Sequence, residues 1–327
     1  MSTFALNRFL TPLTQLETLL QKGRYQKDKG IGFYQNKARD VLFRLEALCR
    51  IYRTMHDKNF FDQWYKEFKL LEDLLGKMDH YESMNKDFSG IRDLKKSSQT
   101  YFGGKFSEYS KNLADVLRNN GWLSGEKINS FKAALEKLKW PDPIEDRKRF
   151  GEGMIDELKK LQSKYDNGEL DPNDVEQGIH EFRRRIRWVS IYSQAADGMV
   201  QLRKQTVIPD QHKKYCTNAI ISSPFNKLPA AKKNQPVIYI DSPAFYAVSW
   251  IIGHLSALKD TGLRQHGFLE LMSHSGKKPA DFGKKVFKEN PISQETVSPL
   301  AELAIDSFIY HDMVIQKITR DILRSIQ

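Results

Sequence analysis

The stretch Gly178-Ile179-His180-Glu181-Phe182-Arg183-Arg184-Arg185-Ile186-Arg187-Trp188-Val189 carries the sharpest pattern in the chain. At about 100° per residue, His180, Arg183, Arg184 and Arg187 fall on one stripe of a helix, and Ile179, Phe182, Ile186 and Val189 fall on the opposite side. One face is cationic and the other apolar. Glu181 lies outside the cationic stripe, whereas a solvated helix face mixes acids with bases at three- and four-residue spacing. Four donors without a carboxylate of their own invite an external anion. The planar guanidinium offers paired donors to phosphate oxygens, and a nearby His adds charge as pH falls. By spacing alone, the same stripe also fits the wet side of an amphipathic helix neutralised by acids on neighbouring helices.

Working outward, helical periodicity dominates. Phe9 to Leu20, Val41 to Tyr52, Phe61 to Leu75, Phe131 to Leu138 and Leu300 to Leu323 all place apolar residues three and four apart. Asp171-Pro172, Ser242-Pro243 and Ser298-Pro299 each set a capping side chain before a proline suited to a first helical turn, and so predict helix starts. Trp140-Pro141-Asp142-Pro143 cannot continue a helix and divides the chain into residues 1–145 and 146–327. A Pro- and Lys-rich segment, 205–240, reads as a long basic loop. Within it only Val237-Ile238-Tyr239-Ile240 is β-like, and a lone short strand forms no sheet. The predicted fold class is all-α.

Composition agrees with a soluble protein of two packed units: 327 residues, 40% hydrophobic and 28% charged. The 52 Lys and Arg against 41 Asp and Glu leave a formal charge of +11, which favours phosphate-rich partners without naming one. Two cysteines, Cys49 and Cys216, are too few for a disulfide framework and read as small buried apolar residues in a reducing compartment. The start, Met1 to Arg8, lacks the features of a secretory signal, so a cytosolic location is expected. The longest apolar run, Phe245 to Leu258, is interrupted by Ser249, Gly253, His254 and Ser256 and is too short for a membrane span, so no membrane association is expected.

The helix at 180–187 resembles the CHAD family, the conserved histidine α-helical domain, whose mark is His-x-x-Arg with further bases four and seven positions after the His. His180, Arg183, Arg184 and Arg187 match those places. In the first half Asn36 stands for the His, Arg39 matches, and Phe43 replaces the base at position seven. Arg44 and Arg50 are added as possible first-half contributors, although Arg44 lies off the stripe. A later Leu-Gly-x-x-Arg-Asp element is similar to Leu75-Gly76-Lys77-Met78-Asp79 and to Leu255-Ser256-Ala257-Leu258-Lys259-Asp260. Gly76 follows Asn36 by 40 residues and Ser256 follows His180 by 76; the excess corresponds to the basic segment. The resemblance implies two similar antiparallel four-helix bundles around a basic cavity. It further implies non-enzymatic binding of inorganic polyphosphate, with His180, Arg183, Arg184, Arg187, Asn36, Arg39, Arg44, Arg50 and Lys259 as ligand residues and the second half dominant.

Other readings are weaker. Nucleic-acid binding rests on the same net charge, but the aromatics sit at core spacing, as Phe61, Trp64, Tyr65 and Phe68 do, and form no stacking platform. A phosphohydrolase would need a carboxylate–metal constellation that the motifs do not supply, and no cofactor loop is found. His254, His266 and His274 with Asp260 lack metal-ligand spacing, and His311-Asp312 reads as structural. Gly103-Gly104-Lys105 reads as a turn, and the lysine run from Gly276 to Glu289 as a solvated loop or a basic funnel.

Overall fold

The computed structural model describes residues 3–276, 278 and 294–327; the lysine run after Gly276 lies outside the described residues except for Lys278. Thr3 caps α1 (Phe4–Arg24) through its hydroxyl, which accepts from the Leu6 amide at 3.3 Å. Phe9, Leu13, Leu16 and Leu20, spaced three and four apart, bury one face of α1 completely or nearly so. Then come α2 (Lys29–Gln35), α3 (Arg39–Tyr52), the long α4 (Lys58–Ser89), α5 (Lys95–Asn119) and α6 (Glu126–Glu136). α4 packs along α3 and α5, while α1 lies on α2, α3 and α6.

After the Pro-rich junction, Asp142 caps α7 (Pro143–Asp166) by accepting from the Ile144 and Glu145 amides at 2.9 and 3.0 Å. A π turn, Val175–His180, leads into α8 (Glu181–Ala195), which packs on α3, α7 and α11 (Ser242–Ser275). Between α8 and α11 lie β1 (Val200–Arg203), two single-turn helices, α9 (Asp210–Lys213) and α10 (Asn218–Ile221), and β2 (Ile238–Asp241). The chain ends with α12 (Gln294–Asp306), a second π turn (Ser307–His311) and α13 (Val314–Ile326), which lies on α7 and β2.

One hydrophobic core runs from Ala5 to Ile326, and a smaller cluster joins Met84, Phe88 and Phe102 of α4 and α5 to Phe268 and Leu271 of α11. Within the core, Arg8 is buried and donates to the Ala196 carbonyl at 3.0 Å, to the Tyr52 hydroxyl at 2.7 Å and to the Asp146 carboxylate. It ties α1, α3, α7 and the end of α8 together. No helix among the described residues is long and apolar enough to cross a membrane.

Several local expectations need correction. Asp171 closes a turn on Asn173 (2.9 Å), and it is Asp174 that caps the next helix, accepting from Glu176 and Gln177 at 2.8 Å each. Gly178 is required there, because a Cβ would lie 1.7 Å from the Asp171 carbonyl oxygen. Pro299 falls inside α12 and does not open it. The pattern from Leu300 to Leu323 is split by a π turn and by Met313, whose φ of 51° leaves the right-handed helical region. Gly103 and Gly104 lie inside α5, carried by its packing despite their low helix propensity.

The β-like segment does have a partner. β2 pairs in parallel with β1, Val200 opposite Ile238 and Arg203 opposite Asp241. The 205–240 segment is anchored by its own contacts: Lys214 and Tyr215 reach the buried Asp312, Lys232 pairs with Asp197, and the Asn226 side-chain Oδ1 accepts from the Ser249 hydroxyl at 2.7 Å. Those ion pairs neutralise part of its basic character. Cys49 is buried as expected, whereas Cys216 is only half-buried.

Candidate functional site

A cavity of about 1100 Å³ opens between α3, α4, α8 and α11. Each helix contributes a stripe set by its 3.6-residue period. From the π turn comes His180 and from α8 come Arg183, Arg184, Arg187 and Trp188; from α3, Arg39, Phe43, Glu46 and Arg50; from α11, Lys259 and Asp260. α4 supplies a mixed wall that includes Tyr65, Lys69, Glu72, Asp73, Lys77 and Asp79. The cavity thus gathers seven of the residues singled out from sequence, namely His180, Arg183, Arg184, Arg187, Arg39, Arg50 and Lys259. Asn36 and Arg44 stand apart. The Asn36 amide closes α2 by donating to the Gly32 carbonyl at 2.7 Å, and Arg44 donates to Gln15 on the α1 side.

Most of these cations already have acid partners. Arg39 is held by Glu72, to which its Nε donates at 3.0 Å, and by Asp79. Arg50 pairs with Glu157 and lies 4.4 Å above the Trp188 ring. Lys69 pairs with Asp73 at 2.6 Å and Lys259 with Asp260 at 3.1 Å. Arg184, expected to lack an internal carboxylate, pairs with Glu181 at 2.9 Å, and Arg185 pairs with the same carboxylate at 2.7 Å. Glu181 sits off the stripe, yet its side chain reaches back to it.

Arg183 and Arg187 differ from the rest. Arg183 Nε donates to the Ser256 hydroxyl at 2.7 Å, and Ser256 in turn donates to the Ile252 carbonyl at 2.6 Å. Arg187 stacks on Phe43, 4.1 Å from ring centroid to guanidinium carbon. Neither has a carboxylate within ion-pair distance among the described residues. Burial lowers the pKa of both, and Arg183 and Arg39 push Arg187 further down, to about 10, which leaves it charged at neutral pH.

His180 stands at the head of this pair. Burial, then Lys259, Arg183, Arg184 and Arg187, push its pKa down to about 4, so its imidazole is neutral at pH 7. Its Nδ1 is buried without a hydrogen-bond partner. Opposite, on α3, burial and the neighbouring Glu72 raise the buried Glu46 to about 8, and one of its oxygens is also unpartnered. Both titratable groups are mainly uncharged at pH 7.

Sequence reading missed Glu46, Phe43 as a stacking partner, and the acidic residues of α4. An acid in an amphipathic helix reads as a surface residue unless its burial is known. Among the described residues, no group of three His, Cys, Asp or Glu is placed to hold a metal ion. His254 stacks on Trp250 and His274 meets Tyr101 edge-on. Compared with known protein families, curated proteins and solved structures, the chain matches none.

Proposed function

We propose that this cavity binds a phosphate-rich anion, inorganic polyphosphate or a similar polyanion, without making or breaking bonds. The observation that carries the reading is the pair Arg183 and Arg187, half-buried in the cavity and, among the described residues, without a carboxylate within ion-pair distance. An enclosed guanidinium pair without a counter-ion is stabilised by a bidentate oxyanion, which supplies charge and acceptors together. His180 beside it gains a reason to protonate once that anion is present.

The same reading treats the two halves as related bundles of the CHAD type, and two contacts support it. Arg39 lies against Gly76, where an added Cβ would stand 3.1 Å from its Nη2, and Arg183 lies against Ser256. These are the two pairs that the internal alignment sets in correspondence. The position-seven residues, Phe43 and Arg187, also meet each other.

A direct test is competition among inorganic polyphosphate, duplex DNA and RNA at matched phosphate concentration and fixed salt. The reading expects polyphosphate to displace both nucleic acids, because phosphoanhydride chains present adjacent phosphates that phosphodiesters separate with sugars. Preferential retention of DNA or RNA would overturn it in favour of nucleic-acid binding.

A further inference from the structure

The charge census of the cavity narrows the ligand. Lys and Arg side chains line it in the same number as Asp and Glu. Arg39, Arg50, Lys69, Arg184 and Lys259 are each held by an acid. Among the described residues, the lining cations left without an acid in ion-pair distance are Arg183 and Arg187, one turn apart on α8, and the exposed Lys77. A chain of phosphates threaded along the cavity would leave this pair and meet an α4 wall whose Glu72, Asp73 and Asp79 already hold Arg39 and Lys69. Like charges in a partly desolvated space repel strongly.

The first half withholds the second set of cations that a long chain would need. Phe43 occupies the place corresponding to Arg187, and Arg39, which corresponds to Arg183, is clamped between Glu72 and Asp79. Arg183 and Arg187 are four residues apart, just over one helical turn and about 6 Å along the axis, a span suited to two neighbouring phosphate groups. Beside them Phe43 and Trp188 offer apolar surface.

Resting on the anion-binding reading, we infer that the cavity takes the end of a compact ligand, one phosphate or a diphosphate, and does not thread a long polyphosphate chain. The shared chemistry is a diphosphate group, whether free pyrophosphate or the end of an organic diphosphate. Arg183 and Arg187 grip its oxygens, and the remaining length lies outside the Arg pair.

The test titrates the full-length protein, wild type and Arg183→Ala/Arg187→Ala, with orthophosphate, pyrophosphate, tripolyphosphate, long-chain polyphosphate and adenosine diphosphate by calorimetry at constant ionic strength. Pyrophosphate is expected to bind about tenfold or more tightly than orthophosphate, reflecting one further charge-assisted contact. Affinity per chain end should then stay flat, within about threefold, from pyrophosphate to the long chain. The salt dependence of long-chain binding should correspond to neutralisation by about two or three cations. The relative affinities of pyrophosphate and adenosine diphosphate tell the free from the organic source.

An affinity per chain end rising about tenfold or more with chain length, with a correspondingly steep salt slope, would overturn the compact-ligand inference and leave anion binding standing. Failure of every anion to bind, or undiminished binding by a folded double variant, would overturn the anion reading and this inference with it.

Discussion

The Phe43 ring and the Arg187 guanidinium face each other in the cavity at 4.1 Å, joining α3 to α8. The ring holds the guanidinium in position without neutralising it. Phe43→Leu should therefore preserve the fold and lower pyrophosphate affinity about threefold, in keeping with a cation–π contact of about 0.5–1 kcal/mol. Calorimetry on the variant checks this, and unchanged affinity would mean that Arg187 needs no help from the ring.

His180 links anion binding to pH. Its pKa is pushed down from the ordinary 6.5 to about 4, and the proposed anion would raise it by offsetting Lys259 and the arginines. Binding must then take up a proton and strengthen as pH falls from 7 towards 5, beyond the change caused by the ligand's own titration. His180→Gln should remove that extra dependence, which titrations in buffers of different ionisation enthalpy measure directly. Without ligand the unfolded chain binds more protons than the folded one between pH 6.5 and about 4, so this group makes stability fall as pH falls through that window.

Glu46 gives the opposite slope. Its folded pKa of about 8 lies above the ordinary 4.5, so the folded state holds the proton longer than the unfolded state. The stability associated with neutral Glu46 is present below pH 4.5 and is lost as pH rises through about 8. Glu46→Gln, which is neutral throughout, should melt increasingly above wild type as pH is raised from 6 to 9. Parallel melting curves across that range would place the Glu46 carboxyl in ordinary solvent.

How much of this was legible in sequence follows from range. The His180–Arg187 stripe and the core faces of α1, α3 and α4 depend on the local helical period and could be read directly. The pairing of Glu181 with Arg184 and Arg185 was local too, but it depends on side-chain reach, which a helical projection omits. β1 is four residues long, and its partner lies beyond α9 and α10, so no period announces it. Glu46, and the clamping of Arg39 by α4, depend on which helix lies opposite. That is a property of packing, invisible in either helix alone.

The Arg8 network gives a stability prediction separate from the cavity. Arg8→Ala leaves Asp146 buried at 1% exposure with the Tyr52 hydroxyl, 2.6 Å away, as its remaining side-chain partner among the described residues. A cost of about 3–5 kcal/mol is expected for breaking one side of a buried ion pair. Chemical denaturation of wild type and variant measures it. A loss below about 1 kcal/mol, the range of an exposed pair, would show that solvent reaches the network.

The central claim is that Arg183 and Arg187 together bind phosphate oxygens inside the cavity. Its most direct test is calorimetric binding of pyrophosphate at pH 6 and low salt to wild type and to Arg183→Ala/Arg187→Ala, with circular dichroism confirming that both are folded. The account predicts a loss of at least about a hundredfold in the double variant, as expected for removing two charge-assisted contacts. A folded double variant that binds pyrophosphate as tightly as wild type would contradict it.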